Sequence, residues 1–156
     1  MKKSLGVVAG LVGAVLLASG AAAAEIELRV STGPAVELLI GQDVGWNWQL
    51  ALSVGLHFGT ATQTPSARIQ TPSLMIAAHV RYAPLGTQQP TSPYLGVSAV
   101  ARITRDGLSA SLRPHAGIRV RLFPHVYLLA EGGISIPIVG AEERRWDFAV
   151  GVSARF

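Results

Sequence analysis

The chain has 156 residues, a formal net charge of +4 and no cysteine. Its length fits one domain, the lack of cysteine excludes disulfides and thiolate metal sites, and its charge is too small to indicate nucleic-acid binding. Charged residues make up only 14% of the chain, against about a quarter in soluble domains. We therefore expect much of its outer surface not to face water.

The amino-terminal segment, residues 1–24, has the parts of a secretory signal peptide. Lys2 and Lys3 give a positive start, a short apolar stretch follows, and Ala22 and Ala24 fit a small-x-small cleavage site. The apolar stretch is too short to be favoured as a retained membrane anchor. Cleavage would leave residues 25–156 as one domain. Both lysines fall in the signal, so this domain has 11 arginines and 9 acidic residues.

Two short alternating runs open the domain, Ile26–Ser31 and Val36–Gly41, with Thr32-Gly33-Pro34 between them as a turn signal. Each run is shorter than the roughly 9 to 11 residues that a membrane-barrel strand needs. We count them as strands one and two because bacterial single-chain barrels have even strand numbers.

Six stronger runs alternate with a period of two, which places successive side chains on opposite faces of a strand. They are Trp46–Gly59, Ser73–Tyr82, Tyr94–Thr104, Leu108–Phe123, Val126–Ile136 and Trp146–Phe156. Pro114 cannot donate to a ladder, so a bulge or break is predicted there. No segment after the signal approaches the roughly 20 apolar residues of a membrane-spanning helix. The predicted fold is all-β, an antiparallel up-and-down transmembrane β-barrel of eight strands.

A soluble lipocalin-like barrel that binds an apolar ligand is the alternative, since it alternates in the same way with its apolar face inward. The polar face here consists mainly of Gly, Ser, Ala, His and Arg. This composition suits a narrow lumen filled by side chains better than a sheet surface in water. The membrane barrel is therefore favoured.

The chain resembles the small bacterial outer-membrane β-barrel family that contains opacity-type proteins and OmpA-like transmembrane domains. The resemblance rests on the signal peptide, on Pro93–Val97 opening a strand, on Gly117–Arg121 before a turn, and on the terminal Phe156. It implies a monomer in the outer membrane with periplasmic termini. The partners that it implies are outer-membrane lipid, lipopolysaccharide, the barrel-assembly machinery and periplasmic chaperones.

The final strand ends on an aromatic residue, as in the carboxy-terminal signal by which outer-membrane barrels are recognised for insertion. Trp146, Phe148 and Phe156 share one face of this strand. We assign these three residues to the insertion signal.

The polar face carries charges that must be paired away from water. We predict a lumen charge network that fills and orders the barrel, with an anion path as the alternative interpretation. A three-residue turn at Pro124–Val126 would place Arg119 opposite Glu131, and a shift of two would place Arg121 there. The candidate members are Arg113, Arg119, Arg121, Glu131 and Asp147, with Arg81, Arg102, Arg155 and Glu37 on the same face.

The residue pattern does not indicate a catalytic, cofactor or metal site. His57, His79 and His115 share the polar face, but they lack the spacing and the additional ligands of a metal site. Lipid A deacylases carry a His-x-Ser pair, which none of the four histidines here reproduces. We predict a structural or surface-associated protein that is not an enzyme. A lipid A-modifying outer-membrane enzyme is the alternative function.

Overall fold

The computed structural model describes residues 24–32, 35–58, 72–105, 107–140 and 144–156. Residues 1–23 of the predicted signal peptide lie outside this set, as does the predicted loop Thr60–Gln70. Within the described residues, no helix has the length and apolarity needed to cross a membrane.

Eight antiparallel strands form a closed barrel in which each strand pairs with the next and β1 pairs with β8. The strands are β1 (Ala24–Ser31), β2 (Ala35–Val44), β3 (Trp48–Phe58), β4 (Pro72–Tyr82), β5 (Thr91–Thr104), β6 (Gly107–Phe123), β7 (Val126–Val139) and β8 (Arg145–Arg155). The predicted eight-stranded, antiparallel, up-and-down barrel is confirmed.

The first two strands are complete members of the barrel despite their weak alternation. β1 pairs with β2 along its whole length and with β8 from Glu25 to Ser31. β2 continues to Val44, beyond the predicted end at Gly41, because it pairs with β3 through Gln42 and Asp43. Pairing with neighbours on both sides therefore extends both strands beyond their alternating runs.

The third strand begins at Trp48, two residues later than predicted, because residues 45–47 form the turn after β2. Gly45 has a φ of 74°, a left-handed conformation that glycine adopts without the steric cost that other residues incur. The chain therefore reverses direction at Gly45, and Trp46 belongs to the turn.

The apolar side chains cover the outside of the barrel, and the polar side chains face the lumen. In β8, Phe148 and Val150 are 56% and 60% exposed, whereas Asp147, Ala149 and Ser153 are buried. The lipocalin-like alternative required the opposite arrangement and is wrong, because the inward face here carries the charges.

The two ends of the barrel differ in their connections. We call the end of the barrel that holds Ala24 and Arg155 the terminal end. It also holds the connections at residues 45–47, 83–90 and 124–125. We call the opposite end the loop end. Aromatic side chains lie on the outside at both ends, among them Trp48 and Tyr82, whose ring centroids are 4.8 Å apart at the terminal end. Tyr94 and Tyr127 are buried in the lumen, as their phase predicts.

The register between β6 and β7 differs from the predicted one. Pro124 and His125 form a two-residue turn, and the register shifts between Arg121 and Phe123, just before this turn. As a result Gly117 lies opposite Glu131, and the predicted facing pair of Arg119 with Glu131 is wrong. The second shift lies between Ala110 and Ser111. The pairing of β6 with β7 is also interrupted at Arg113 and Pro114, so the predicted break at Pro114 is present, but the register is the same on both sides of it.

Candidate functional site: the lumen charge network

The lumen contains equal numbers of buried cationic and anionic side chains among the described residues. The six buried arginines are Arg29, Arg81, Arg102, Arg113, Arg119 and Arg155. The six buried carboxylates are Glu25, Glu27, Glu37, Asp43, Glu131 and Asp147. This balance matters because a charge out of water is tolerated only with a partner.

Glu131 of β7 is the most connected carboxylate at the middle of the lumen. Its Oε1 accepts from Arg29 Nη1 at 3.0 Å and from Arg113 Nη2 at 3.2 Å. Its Oε2 accepts from the Tyr94 hydroxyl at 3.0 Å and lies 3.6 Å from Arg81 Nη2. One carboxylate therefore joins side chains from four other strands.

Arg29 of β1 is the matching cation. Its Nε lies 3.1 Å from Glu27 Oε1, and its Nη2 donates to Glu37 Oε2 at 3.1 Å. Arg29 therefore donates hydrogen bonds through Nη1 and Nη2, and its Nε contributes only an ion-pair contact to Glu27. Arg29 is 1% exposed, so its charge is balanced by protein carboxylates.

A bidentate pair crosses the lumen between β1 and β4. Arg81 donates to Glu27 through Nη1 at 2.7 Å and through Nη2 at 3.0 Å. The guanidinium carbon of Arg81 also lies 5.1 Å from the Tyr94 ring centroid. We call Glu27, Arg29, Glu37, Arg81, Arg113 and Glu131 the central cluster.

A second group, the terminal cluster of Glu25, Asp43, Gln49, Arg119 and Arg155, lies nearer the terminal end. Glu25 Oε2 accepts from Arg155 Nε at 3.0 Å and from Gln49 Nε2 at 2.6 Å. Arg119 Nη2 lies 3.3 Å from Glu25 Oε1. Gln49 Oε1 accepts from Arg81 at 3.2 Å, which connects the terminal cluster to the central one.

At the loop end of the lumen, a buried carboxylate pairs with a partly exposed arginine. Asp147 Oδ1 lies 3.3 Å from the Nε of Arg145, whose side chain is 36% exposed. Asp147, Arg102 and His57 line a cavity of about 10 Å³, together with Glu37 and Arg113 of the central cluster and with small and apolar residues. That volume holds about one water molecule, so this part of the lumen is narrow.

The histidines are held by hydrogen bonds rather than grouped around a common point. His79 lies 2.9 Å from Ser53 Oγ through Nε2 and 2.7 Å from Ser98 Oγ through Nδ1. The rings of His79 and His115 are 6.4 Å apart. The described part of the chain contains no set of three His, Cys, Asp or Glu residues placed to hold a metal ion.

Glycines make room for the large lumen side chains on neighbouring strands. Gly117 lies opposite Tyr94, and a Cβ on Gly117 would lie 2.5 Å from Tyr94 Cζ. Gly151 lies opposite Arg29, and its Cβ would lie 2.9 Å from Arg29 Cγ. At both positions a large side chain covers the backbone of the strand beside it.

The sequence-predicted members of the network separate into different places. Arg113 and Glu131 meet in the central cluster, whereas Arg119 pairs with Glu25 in the terminal cluster. Asp147 lies at the loop end. Arg121 is exposed at the terminal end. Its predicted place in the buried network is wrong, because this end of β6 extends beyond the part of the lumen that side chains fill.

Sequence reasoning missed the charges of β1, which are central to the network. Glu25, Glu27 and Arg29 occupy every second position of the first strand. That spacing was a usable signal, because it places all three side chains on one face. The run is shorter than the roughly 9 to 11 residues of a membrane-barrel strand, so sequence reasoning assigned its charges little weight.

The residues assigned to the insertion signal lie on the outside of the barrel. Trp146 and Phe148 are exposed on β8 towards the loop end, and Phe156 follows β8 at the terminal end. The Phe156 backbone N–H donates to Ala24 O at 2.9 Å. The aromatic ring therefore projects outward where the first and last strands meet.

No protein-family model and no curated protein matches the sequence. Solved structures do match it. The N-terminal β-barrel domain of Pseudomonas aeruginosa OprF has a TM-score of 0.63 and 15% identity, covering 86% of this chain and 96% of that chain. Neisserial surface protein A (NspA) has a TM-score of 0.57 and 20% identity, covering 86% and 94%.

A major outer membrane protein from Thermus thermophilus also matches, with a TM-score of 0.57 and 15% identity, covering 87% of this chain and all of that chain. At these identities the likeness shows the fold. The chain has the small eight-stranded barrel fold that these outer-membrane proteins share.

Proposed function

We propose that the chain is an integral outer-membrane β-barrel with a side-chain-filled lumen and a structural or surface-associated role without catalysis. The observation that carries this proposal is the apolar outer face, which runs around all eight strands. A monomer in water rarely exposes so much contiguous apolar surface. A bilayer requires such a surface together with a closed hydrogen-bond ladder.

The packing of the lumen supports a filled interior. Arg29 and His79 are each 1% exposed, and Ser98 is fully buried. These residues lie on strands from different sides of the barrel. Eight-stranded barrels are in general just wide enough for side chains to fill, so we propose that the lumen does not conduct.

The location of the serine hydroxyls supports a role without catalysis. Ser53 and Ser98 are the hydroxyls hydrogen-bonded to His79, and all three side chains are buried in the lumen. A nucleophile needs access to its substrate as well as to a base. A lipid substrate at the outer face would not reach these hydroxyls.

We place the terminal end in the periplasm and the loop end at the cell surface. Arg105 and Arg144 are exposed at the loop end, where Trp146 is also exposed. Guanidinium groups bind phosphate well, and aromatic residues favour the membrane interface. This end is therefore suited to contact lipopolysaccharide, while Phe156 at the other end is suited to recognition by the barrel-assembly machinery.

Fractionation with gel migration tests the proposal. The full-length chain is expressed in a Gram-negative host, and the outer-membrane fraction is run in SDS with and without boiling. We expect the protein in that fraction and a heat-dependent change in migration, because the closed ladder resists SDS until it is boiled. Recovery from the soluble periplasm, with no such change, would overturn the proposal.

A further inference from the structure

The connection between β4 and β5 lies at the terminal mouth of the barrel and contacts strands other than the two that it joins. Neighbouring antiparallel strands can be joined by two residues, but residues 83–90 make a longer path here. Ala83 and Thr87 are 5% and 2% exposed, and Gly86 is buried. A connection at a barrel end would normally be exposed, as residues 84, 85 and 88–90 are here, so the connection folds inward at Ala83, Gly86 and Thr87.

One side of this connection is fixed to the turn between β2 and β3. The Ala83 N–H donates to Asn47 O at 2.7 Å, and Asn47 Nδ2 donates back to Ala83 O at 3.0 Å. The Thr87 N–H donates to Trp46 O at 3.1 Å. Gly86 has a φ of 93°, and a Cβ there would lie 3.0 Å from the Trp46 ring.

The other side reaches strands that are distant in the barrel. Arg155 Nη1 of β8 donates to Thr87 O at 2.6 Å, and the Thr87 hydroxyl donates to Asp43 Oδ2 of β2 at 2.9 Å. Arg155 Nη2 donates to Asp43 Oδ1 at 3.3 Å, which closes a triangle of three residues. Farther along, the Arg121 N–H donates to Pro90 O at 2.7 Å, which continues the ladder between the neighbouring strands β5 and β6 beyond Thr91.

We infer that residues 83–90 form a lid over part of the terminal mouth, held closed by a latch made of Asp43, Thr87 and Arg155. The segment leaves β4, contacts β2 and β8, and returns to β5, so it covers the part of the opening between these strands. A cavity of about 290 Å³ lined by Gln88, Tyr127 and Phe156 lies beside it. The latch is also joined to the lumen, because Arg155 Nε donates to Glu25. Release of the latch exposes the terminal cluster to water, while the central cluster beyond it stays packed.

Cysteine labelling can test the lid because the chain has no cysteine of its own. The reporter is Ser153→Cys, at a β8 position that is 1% exposed and two residues from Arg155. The reference is Ser135→Cys, at a buried lumen position near the loop end. The full chain in detergent is reacted with a charged maleimide, and the two labelling rates are measured.

The latch is broken by Asp43→Ala, and Asp147→Ala serves as the matched control that removes a lumen carboxylate at the loop end. We expect Asp43→Ala to speed labelling at position 153 by roughly tenfold, since charge-assisted hydrogen bonds hold the lid. In the Asp43→Ala variant, the labelling rate at position 135 should not change. Thr87→Val removes one bond of the latch, and we expect a smaller rise at position 153.

Two results would overturn the inference. An unchanged rate at position 153 in both latch variants would mean that the latch does not hold the segment closed. Equal acceleration at positions 153 and 135 would mean that the substitutions loosen the whole barrel. In that case residues 83–90 would not be a separately opening lid.

Discussion

At the scale of single residues, Glu131 is the carboxylate on which the central cluster depends. It accepts hydrogen bonds from Arg29, Arg113 and Tyr94 and lies within 3.6 Å of Arg81 and His115. Pairing of buried charges is weak evidence for net stability, but removal of one partner is costly because the other stays buried. The contacts of Glu131 therefore predict that neutralising this side chain lowers the free energy of unfolding substantially.

We expect Glu131→Gln to lower the free energy of unfolding by about 3–5 kcal/mol. The amide keeps one acceptor, but its NH₂ group replaces the oxygen that accepts from Tyr94, and the negative charge is lost. Urea unfolding in detergent, followed by gel migration, gives the midpoint. Asp147→Asn is the control, expected to cost at most about 1 kcal/mol because its partner Arg145 is partly exposed. Equal midpoints for Glu131→Gln and the unsubstituted protein would contradict the expectation.

At the scale of strands, the lumen depends on large residues that face glycines across a ladder. Tyr94 faces Gly117, Arg29 faces Gly151, and in the same way Glu37 faces Gly55. Small barrels often alternate small and large residues inside. Here a large residue on one strand lies opposite a glycine on the neighbouring strand. The glycine leaves space for the large side chain to lie over the backbone of that neighbouring strand.

We expect Gly117→Ala to destabilise the barrel by about 1–3 kcal/mol, the usual cost of overpacking. The added methyl would lie 2.5 Å from Tyr94 Cζ and 2.7 Å from Ala130 O, and a backbone oxygen cannot easily move away. Gly41→Ala is the matched control, because its Cβ would lie 3.2 Å from Ala51 Cβ. Thermal unfolding of both variants in detergent measures the difference in stability. Equal destabilisation of the Gly41→Ala and Gly117→Ala variants would contradict overpacking against Tyr94 as the cause.

The sequence predicted the strands and their faces well but predicted the register and pairing partners poorly. Alternation is a local property, so it identified β8 and the inward phase of Tyr94 from neighbouring residues alone. Register depends on turns and bulges, and the shift next to Arg121 moved Arg119 away from Glu131. Glu131, one of the three carboxylates that contact Arg29, lies 102 residues away from it, and no local pattern indicates this contact.

At the scale of the whole molecule, the apolar outer face makes a sharp prediction for charge placed on it. Val150 is 60% exposed at the middle of β8. In water an arginine there would change stability by no more than about 0.5 kcal/mol. In a bilayer it would lie near the midplane, where arginine costs about 2–4 kcal/mol.

We therefore expect Val150→Arg to lower the unfolding free energy in lipid vesicles by that amount. Val139→Arg is the control, because Val139 is also exposed but ends β7 at the loop end, where the cost is about 0–1 kcal/mol. Urea titration of the two proteins in the same vesicles gives the comparison. Two equally stable variants would contradict a bilayer around β8.

The bonds between the first strand and the last strands have a consequence for the order of folding. Glu25 and Arg155 are 130 residues apart, and Arg29 and Glu131 are 102 apart. A partial barrel that lacks β7 and β8 therefore holds β1 charges without these partners, at a high cost away from water. Contacts so distant along the chain form slowly, because loop closure must precede them. Neutralisation of β1 and its pairing with β8 thus belong to one late, cooperative step, and the last strands to be synthesised complete the electrostatic environment of the first.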